Sequence, residues 1–181
     1  MPVVSELEVA DNMLAAGKLV RELISKADSL KGRAKAPYYK ASYIFLASIV
    51  ESMLYLLIKL HCDLNDALKD KSSDKKLIKK IRLNSAQMGT TKKLWVAEDK
   101  KVPFALDKAD FYSMINFCRE TGILKNRVCE SLDIVRKKRN EVHLHTFSHA
   151  SYTKRMLDTP GRLVSRMQRE FTKIIAEIEA S

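Results

Sequence analysis

A ten-residue segment, RKKRNEVHLH from Arg136 to His145, concentrates side chains that transfer protons and bind phosphate. Imidazole groups titrate near neutral pH and serve as general acids or bases, and a fixed guanidinium stabilises negative charge that develops on a phosphate. These two chemistries can cleave RNA without a metal ion, because the imidazole moves the proton of the 2′-hydroxyl or of the leaving oxygen. The residue types therefore indicate proton transfer beside a bound phosphate.

A helical projection of residues 124 to 144 places one of these cations on an apolar face. Val128, Leu132, Val135 and Val142 form a stripe, and Arg139 takes the remaining place on it. Burying an unpaired guanidinium costs several kcal/mol, so a carboxylate is expected beside it.

Glu51 is the predicted partner of Arg139, because it is the single charge in the middle of the most apolar stretch of the chain. Two charges of opposite sign in apolar surroundings imply each other. The pair is open to two interpretations. It either holds a catalytic guanidinium in place or serves as a structural ion pair that fixes the register of two helices.

The same projection favours His143 over His145 as the proton-transfer group. His143 lies one helical turn after Arg139, and Arg136 and Asn140 share that side of the helix. Asn140 is expected to orient the imidazole or the phosphate. His145 would point to the opposite side of a continuous helix, and joins the site only if the helix ends near His143.

The elements that must position these residues are predicted to be helices. Gly and Pro are scarce, at 5 and 4 of 181 residues, and helical periodicity runs through most of the chain. We predict an all-α fold, a helical bundle of about five to seven helices in a single domain spanning residues 1–181. A small hairpin near residues 92–104 is the expected exception.

The first two predicted helices carry most of the apolar residues. The first spans Ser5 to Leu30, with Ser5 and Glu8 in a capping-box pattern. Its predicted inward stripe consists of Leu14, Leu19, Leu23, Ile24 and Ala27. The second begins at Pro37 and ends near Leu60, and its segment 41–58 is almost long enough to cross a bilayer. Since Glu51 lies in the middle of that segment, a buried central helix is predicted, with no membrane span.

The later elements are bounded by capping signals. Residues 72–74, Ser-Ser-Asp, are predicted to cap a short helix that continues to Leu83, and residues 90–106 to form a loop or hairpin. Asp107 is predicted to cap a helix that ends at Gly122. The helix of the catalytic segment then begins near Leu124, and Thr159 with Pro160 is predicted to start the last helix.

A formal net charge of +11 predicts an anionic partner. RNA is the expected partner, and a lysine-rich segment is its predicted contact surface. The cations of that segment are Lys75, Lys76, Lys79, Lys80 and Arg82. A solvated helix face without a ligand is the alternative.

The cysteine and glycine patterns exclude several classes of site. Cys62, Cys118 and Cys129 show no C-x-x-C spacing, so neither a disulfide framework nor a thiolate zinc site is indicated, and a reducing cytoplasm is the expected location. Cys118 and Cys129 fall on apolar faces, as core residues do. No glycine-rich phosphate loop is present, so a nucleotide-hydrolysing motor is not expected.

A zinc site formed by His143, His145 and His149 is a further alternative.

The Arg-polar-His arrangement resembles the signature of the HEPN superfamily, in which an Arg and a polar residue are followed by four to six residues and a His. Arg139 and Asn140 match the first pair, and five residues separate Arg139 from His145. Arg136 and His143 enclose six. Glu51 is similar to the acidic residue that the family carries on an early hydrophobic helix.

This resemblance covers the helix order from about residue 36 to residue 180. It implies a metal-independent endoribonuclease that needs no cofactor and acts as a homodimer with two signature segments facing each other. It further implies a toxin or anti-phage defence effector, for which an antitoxin protein would be a partner. The alternative within the family is an inactive RNA-binding or assembly module.

Overall fold

A computed structural model of the chain describes residues 6–65, 68, 73–83, 92–101, 104–143 and 152–179. Within these ranges five α-helices form a bundle, which confirms the predicted all-α class. The helices are α1 (Glu6–Ser29), α2 (Ala36–Leu64), α3 (Phe111–Thr121), α4 (Asn126–His143) and α5 (Asp158–Glu179). Two strands, β1 (Ser73–Leu83) and β2 (Lys92–Lys101), pair as one antiparallel hairpin between α2 and α3.

Helix α2 is the centre of the bundle and contacts each of the other four helices. Leu54, Leu57 and Ile58 are fully buried in it, so its apolar character is used for packing. The segment Gly32–Leu64 is also long and apolar enough to span a membrane. Half of its most apolar stretch of 18 residues is buried within the bundle. The predicted central helix is therefore present, with Pro37 in its first turn as expected.

Helix α1 packs on α2 through part of the predicted stripe, since Ile24 and Ala27 belong to the core as predicted. Leu14 and Leu19 lie outside the interface, and Leu14 is 67% exposed. The stripe that faces the core consists of Met13, Ala16, Val20, Ile24 and Ala27, with Leu23 half-buried at its edge. The prediction included Leu14 and Leu19 and missed Met13, Ala16 and Val20, which lie on the face toward the core. The predicted cap at Ser5 lies outside the described residues.

The lysine-rich segment is a strand, and the prediction of a short helix there was wrong. On a helix, Lys75 and Lys79 would stand four residues apart and repel each other. In the hairpin, Lys75 lies opposite Asp99 and Lys76 opposite Glu98, which favours strand pairing. The register shifts between Leu77 and Lys79. The hairpin predicted near 92–104 is therefore formed by β2 together with a segment that precedes the predicted range.

Two predicted helix starts are shifted. Asp110 caps α3 by accepting a hydrogen bond from the Ser113 backbone N–H at 2.7 Å, whereas Asp107 lies in a preceding 3₁₀ turn. Helix α3 ends as predicted at Gly122, whose φ of 76° is the left-handed conformation that glycine adopts without strain. Helix α5 begins at Asp158 after another 3₁₀ turn, so Thr159 lies within its first turn and does not cap it.

Asp28 connects three parts of the bundle near the end of α1. Its carboxylate accepts hydrogen bonds from the Tyr39 hydroxyl of α2 at 3.0 Å and from the Lys154 ammonium at 2.7 Å. The bond from Lys154 is the main reason that the pKa of Asp28 lies below its ordinary value. The contacts join α1 to α2 and to the turn that leads into α5.

The exposure difference between leucines of α1 and α2 predicts their effect on stability. Leu57→Ala should lower the free energy of unfolding by about 2 to 5 kcal/mol, because it leaves a cavity in the core. Leu14→Ala removes the same atoms from the surface and should change it by less than about 0.5 kcal/mol. Urea unfolding followed by circular dichroism measures both, and equal effects would contradict the described packing of α1.

Candidate active site

Arg139 and Glu51 form an ion pair between α4 and α2. The Arg139 Nη1 atom lies 2.6 Å from the Glu51 Oε2 atom, and the two side chains are 27% and 26% exposed. Val128, Leu132 and Val135 precede Arg139 on the buried stripe of α4. The predicted partnership is confirmed. The guanidinium is held at the edge of the core, with part of its surface accessible to solvent.

Burial governs the protonation of Glu51 more strongly than its partner does. Desolvation raises the pKa of Glu51 above its ordinary value of 4.5, and the nearby Asp110 carboxylate raises it further. The charge and hydrogen bond of Arg139 act in the opposite direction. Because the folded pKa lies above the unfolded one, ionisation of Glu51 lowers the free energy of unfolding as the pH rises between these two values. Arg139 offsets part of that cost.

Arg136 is bound by a carboxylate of its own helix. Its Nε and Nη2 atoms each lie 2.8 Å from the Asp133 Oδ1 atom, and its guanidinium stands 5.0 Å from the centre of the Tyr112 ring. Asp133 also accepts a hydrogen bond from the Lys137 ammonium at 2.8 Å. This bond is the main reason that the pKa of the Asp133 carboxyl lies below its usual range. Arg136 is thus oriented by α4 itself and by the half-exposed ring of α3.

The first turn of α3 brings a further carboxylate to this region. Asp110 is fixed by its capping bond to Ser113, which lowers its pKa, and its charge acts on both Glu51 and Arg136. The prediction from sequence missed Asp110 and Tyr112 as neighbours of the site. The sequence does carry the signal of an Asp immediately before an apolar helix, although Asp107 provides the same signal three residues earlier.

The remaining predicted catalytic residues lie on or beyond the end of α4. Asn140 is exposed, one residue after the ion-paired Arg139. The helix continues to His143, one turn after Arg139, as the projection requires. His145 and His149 lie outside the described residues, so the choice of histidine and the alternative of a histidine metal site both stay open.

The predicted RNA-binding cations are divided by the hairpin register. Lys75 and Lys76 stand opposite acidic residues of β2, whereas Arg82 stands opposite Lys93. Lys79 and Lys80 stand opposite Val96 and Trp95. In the half of the hairpin toward residues 83 and 92, the cations therefore stand opposite no acidic residue. In the other half, Lys75 and Lys76 each stand opposite one.

The cysteines occupy the core. Cys62, Cys118 and Cys129 are buried free thiols. Burial raises the pKa of the Cys118 thiol far above its ordinary value, which disfavours the reactive thiolate. The predicted structural role of Cys118 and Cys129 is confirmed.

Comparison with known proteins adds no relative. No family model, curated protein or solved structure matches the chain.

Removing the guanidinium should raise the pKa of Glu51 further. In Arg139→Gln the carboxylate keeps its desolvation and loses the attraction that lowers its pKa. We expect the carboxyl carbon of Glu51, followed by NMR, to titrate at a higher pH than in the unaltered protein. Arg127→Gln, an exposed change on the same helix, is the control and should leave the titration unchanged. A lowered or unchanged pKa in Arg139→Gln would mean that the ion pair is absent in solution.

Proposed function

We propose that this protein is a metal-independent endoribonuclease that cleaves RNA through attack by the 2′-hydroxyl. Arg139 and His143 are the proposed catalytic residues, and Glu51 is the proposed positioning residue. The resemblance to the HEPN superfamily supports this proposal and makes a toxin or anti-phage defence effector its proposed setting. An antitoxin protein is then a proposed partner.

The Arg139–Glu51 contact carries the proposal. A guanidinium offers five N–H donors, and the ion pair with Glu51 is made through Nη1. In the proposed site the other donors bind a phosphate, while the carboxylate fixes the orientation of the group. A fixed donor stabilises developing charge better than a mobile one, because it needs no reorganisation during the reaction.

The proposed reaction balances without water or a metal. An imidazole takes the proton of the 2′-hydroxyl, and the 2′-oxygen attacks the adjacent phosphorus. The bond to the 5′-oxygen breaks, and that oxygen accepts a proton from a second acid. The products are a 2′,3′-cyclic phosphate and a 5′-hydroxyl. In the proposed homodimer, two copies of His143 supply the base and the acid.

A second candidate function is RNA binding without cleavage. It is favoured by the contacts of the two arginines, since Glu51 and Asp133 already balance the charges of Arg139 and Arg136. In that case the ion pair serves to fix the register of α2 and α4, and His143 has no chemical role.

Substitution of the proposed catalytic residues distinguishes the two candidates. His143→Ala and Arg139→Ala should each lower the cleavage rate by roughly a hundredfold or more. Gel analysis of total cellular RNA measures cleavage. End-group analysis should find a 2′,3′-cyclic phosphate, with the reaction unaffected by a chelator.

His145→Ala is the matched comparison for His143→Ala. Loss of activity in His145→Ala alone would reassign the base to His145. Full activity in both variants would exclude the nuclease mechanism, and intact RNA binding without cleavage in the unaltered protein would favour the second candidate.

The proposed dimer predicts how the rate depends on concentration. If two copies of the segment 136–145 form one site, the rate per protomer should rise with protein concentration and level off as the dimer forms. Sedimentation velocity over the same range measures the oligomeric state. A strict monomer that cleaves RNA at full rate would contradict the dimer.

A further inference from the structure

A groove of about 1350 Å³ lies between α4 and α5. Ile24 of α1 and the 3₁₀ turn that precedes α5 complete its lining. Its more buried lining residues are apolar and include Val128, Leu157 and Leu163. The groove therefore has a closed apolar floor, and its exposed lining decides what it can bind.

Four exposed arginines dominate that lining. One is on α4 and three are on α5: Arg127, Arg162, Arg166 and Arg169. We name this surface the arginine groove. On α5 the spacing of four and then three residues places the arginines on one face, and Lys173 extends the same row by one turn. From Arg162 to Lys173 the row is about 16 Å long.

Two carboxylates line the groove, Asp158 and Glu170, against six cations. The ion pairs described at and beside the groove join carboxylates to lysines. Asp28 binds Lys154 at 2.7 Å, and Glu170 binds Lys173 at 3.2 Å. In the part of the chain that the structure describes, none of the four arginines forms an ion pair with a carboxylate. Arg162 donates to a backbone carbonyl, that of Asp158, at 3.3 Å. The groove thus presents an excess of positive charge, carried by arginines that have no carboxylate partner among the described residues.

The lining favours a phosphate backbone over an acidic peptide. Val128, Leu157 and Leu163 are almost fully buried, and Ile134 is the one largely exposed apolar side chain among the described lining residues. A single exposed isoleucine offers little surface for the several hydrophobic anchors of a peptide helix. Among the described residues no aromatic side chain lines the groove, so these residues offer bases no ring to stack on. What remains is a set of guanidinium groups, whose geometry suits phosphate oxygens and carries no sequence preference.

The arginine groove is separate from the candidate active site. On a helical projection of α4, Arg127 and Ile134 lie on roughly the opposite side of the helix from Arg136 and His143. A polyanion bound in the groove therefore does not compete with a phosphate at Arg139.

We infer that the arginine groove is a sequence-independent binding surface for the sugar-phosphate backbone of RNA, distinct from the site of cleavage. The choice of RNA as the polyanion rests on the proposed function. The groove anchors the RNA through several phosphates, while the residues around Arg139 contact a single one.

Removing the groove arginines should weaken RNA binding and leave the rate of cleavage unchanged at saturating RNA. We would combine Arg162→Gln, Arg166→Gln and Arg169→Gln, and measure binding of a 20-base-pair 2′-O-methyl RNA duplex, which lacks the attacking hydroxyl. Affinity at low salt should fall at least tenfold, and the slope of log affinity against log salt should decrease by about two to three. The cleavage rate of unmodified RNA at saturating concentration should be unchanged.

A control variant with the same net charge tests whether the position of the charges matters. Lys18→Gln, Lys31→Gln and Arg33→Gln are exposed changes outside the groove lining. Equal losses of affinity in both triple variants would overturn the inference, as would loss of binding of a polyglutamate peptide in the groove variant while RNA binding is kept. The duplex lacks the attacking hydroxyl and stays intact, so its binding is measurable whether or not the protein is a nuclease. If the unaltered protein bound the duplex but did not cleave unmodified RNA, the proposed nuclease function would be refuted and the inference about the arginine groove would stand.

Discussion

The contact between Arg139 and Glu51 is the constraint on which the arrangement of α2 and α4 depends. Each charge lies near the core in a position where apolar packing is the rule, and each would be costly without the other. The pairing fixes the position of one turn of α4 along α2. It also turns a guanidinium toward the surface at the point where α4 approaches its end at His143.

The desolvation that raises the pKa of Glu51 is a cost of this arrangement. An apolar pair at these two positions would avoid the desolvation that raises the pKa. Two charges at the core edge are understandable if the fixed guanidinium binds a phosphate, as proposed. The neighbouring Asp110 adds to the cost, since its negative charge opposes the ionisation of Glu51.

Helix α4 separates two kinds of basic surface. On one side, Arg136 and Arg139 are each oriented by a carboxylate, and their positions are therefore defined. On the other side, the arginine groove presents cations without carboxylate partners among the described residues. Oriented arginines suit recognition of one phosphate in one geometry, whereas unpaired exposed ones suit a backbone that binds in many registers. In the proposed function, the first surface would contact the phosphate at the site of cleavage and the second would hold the RNA backbone.

The sequence by itself determined the helical class, the central helix α2 and the Arg139–Glu51 pair. These followed from local periodicity and from the cost of an isolated charge in apolar surroundings, both of which can be read without coordinates. Gly122 was predictable for the same kind of reason, since the end of a helix is a local event.

Only the tertiary structure decided the remaining features. Which side chains of α1 join Ile24 and Ala27 in the core depends on how the helix is rotated against α2, which places Met13, Ala16 and Val20 inward and Leu14 in solvent. The strand at Lys75 to Arg82 depends on pairing with β2, a partner about twenty residues away that local helical periodicity does not report. The arginine groove requires α4 and α5 to lie side by side, because residues 127 and 162 are brought together by packing and by no pattern in the sequence. Local rules fix what each segment can become, and long-range contacts select the face and the partner that each segment uses.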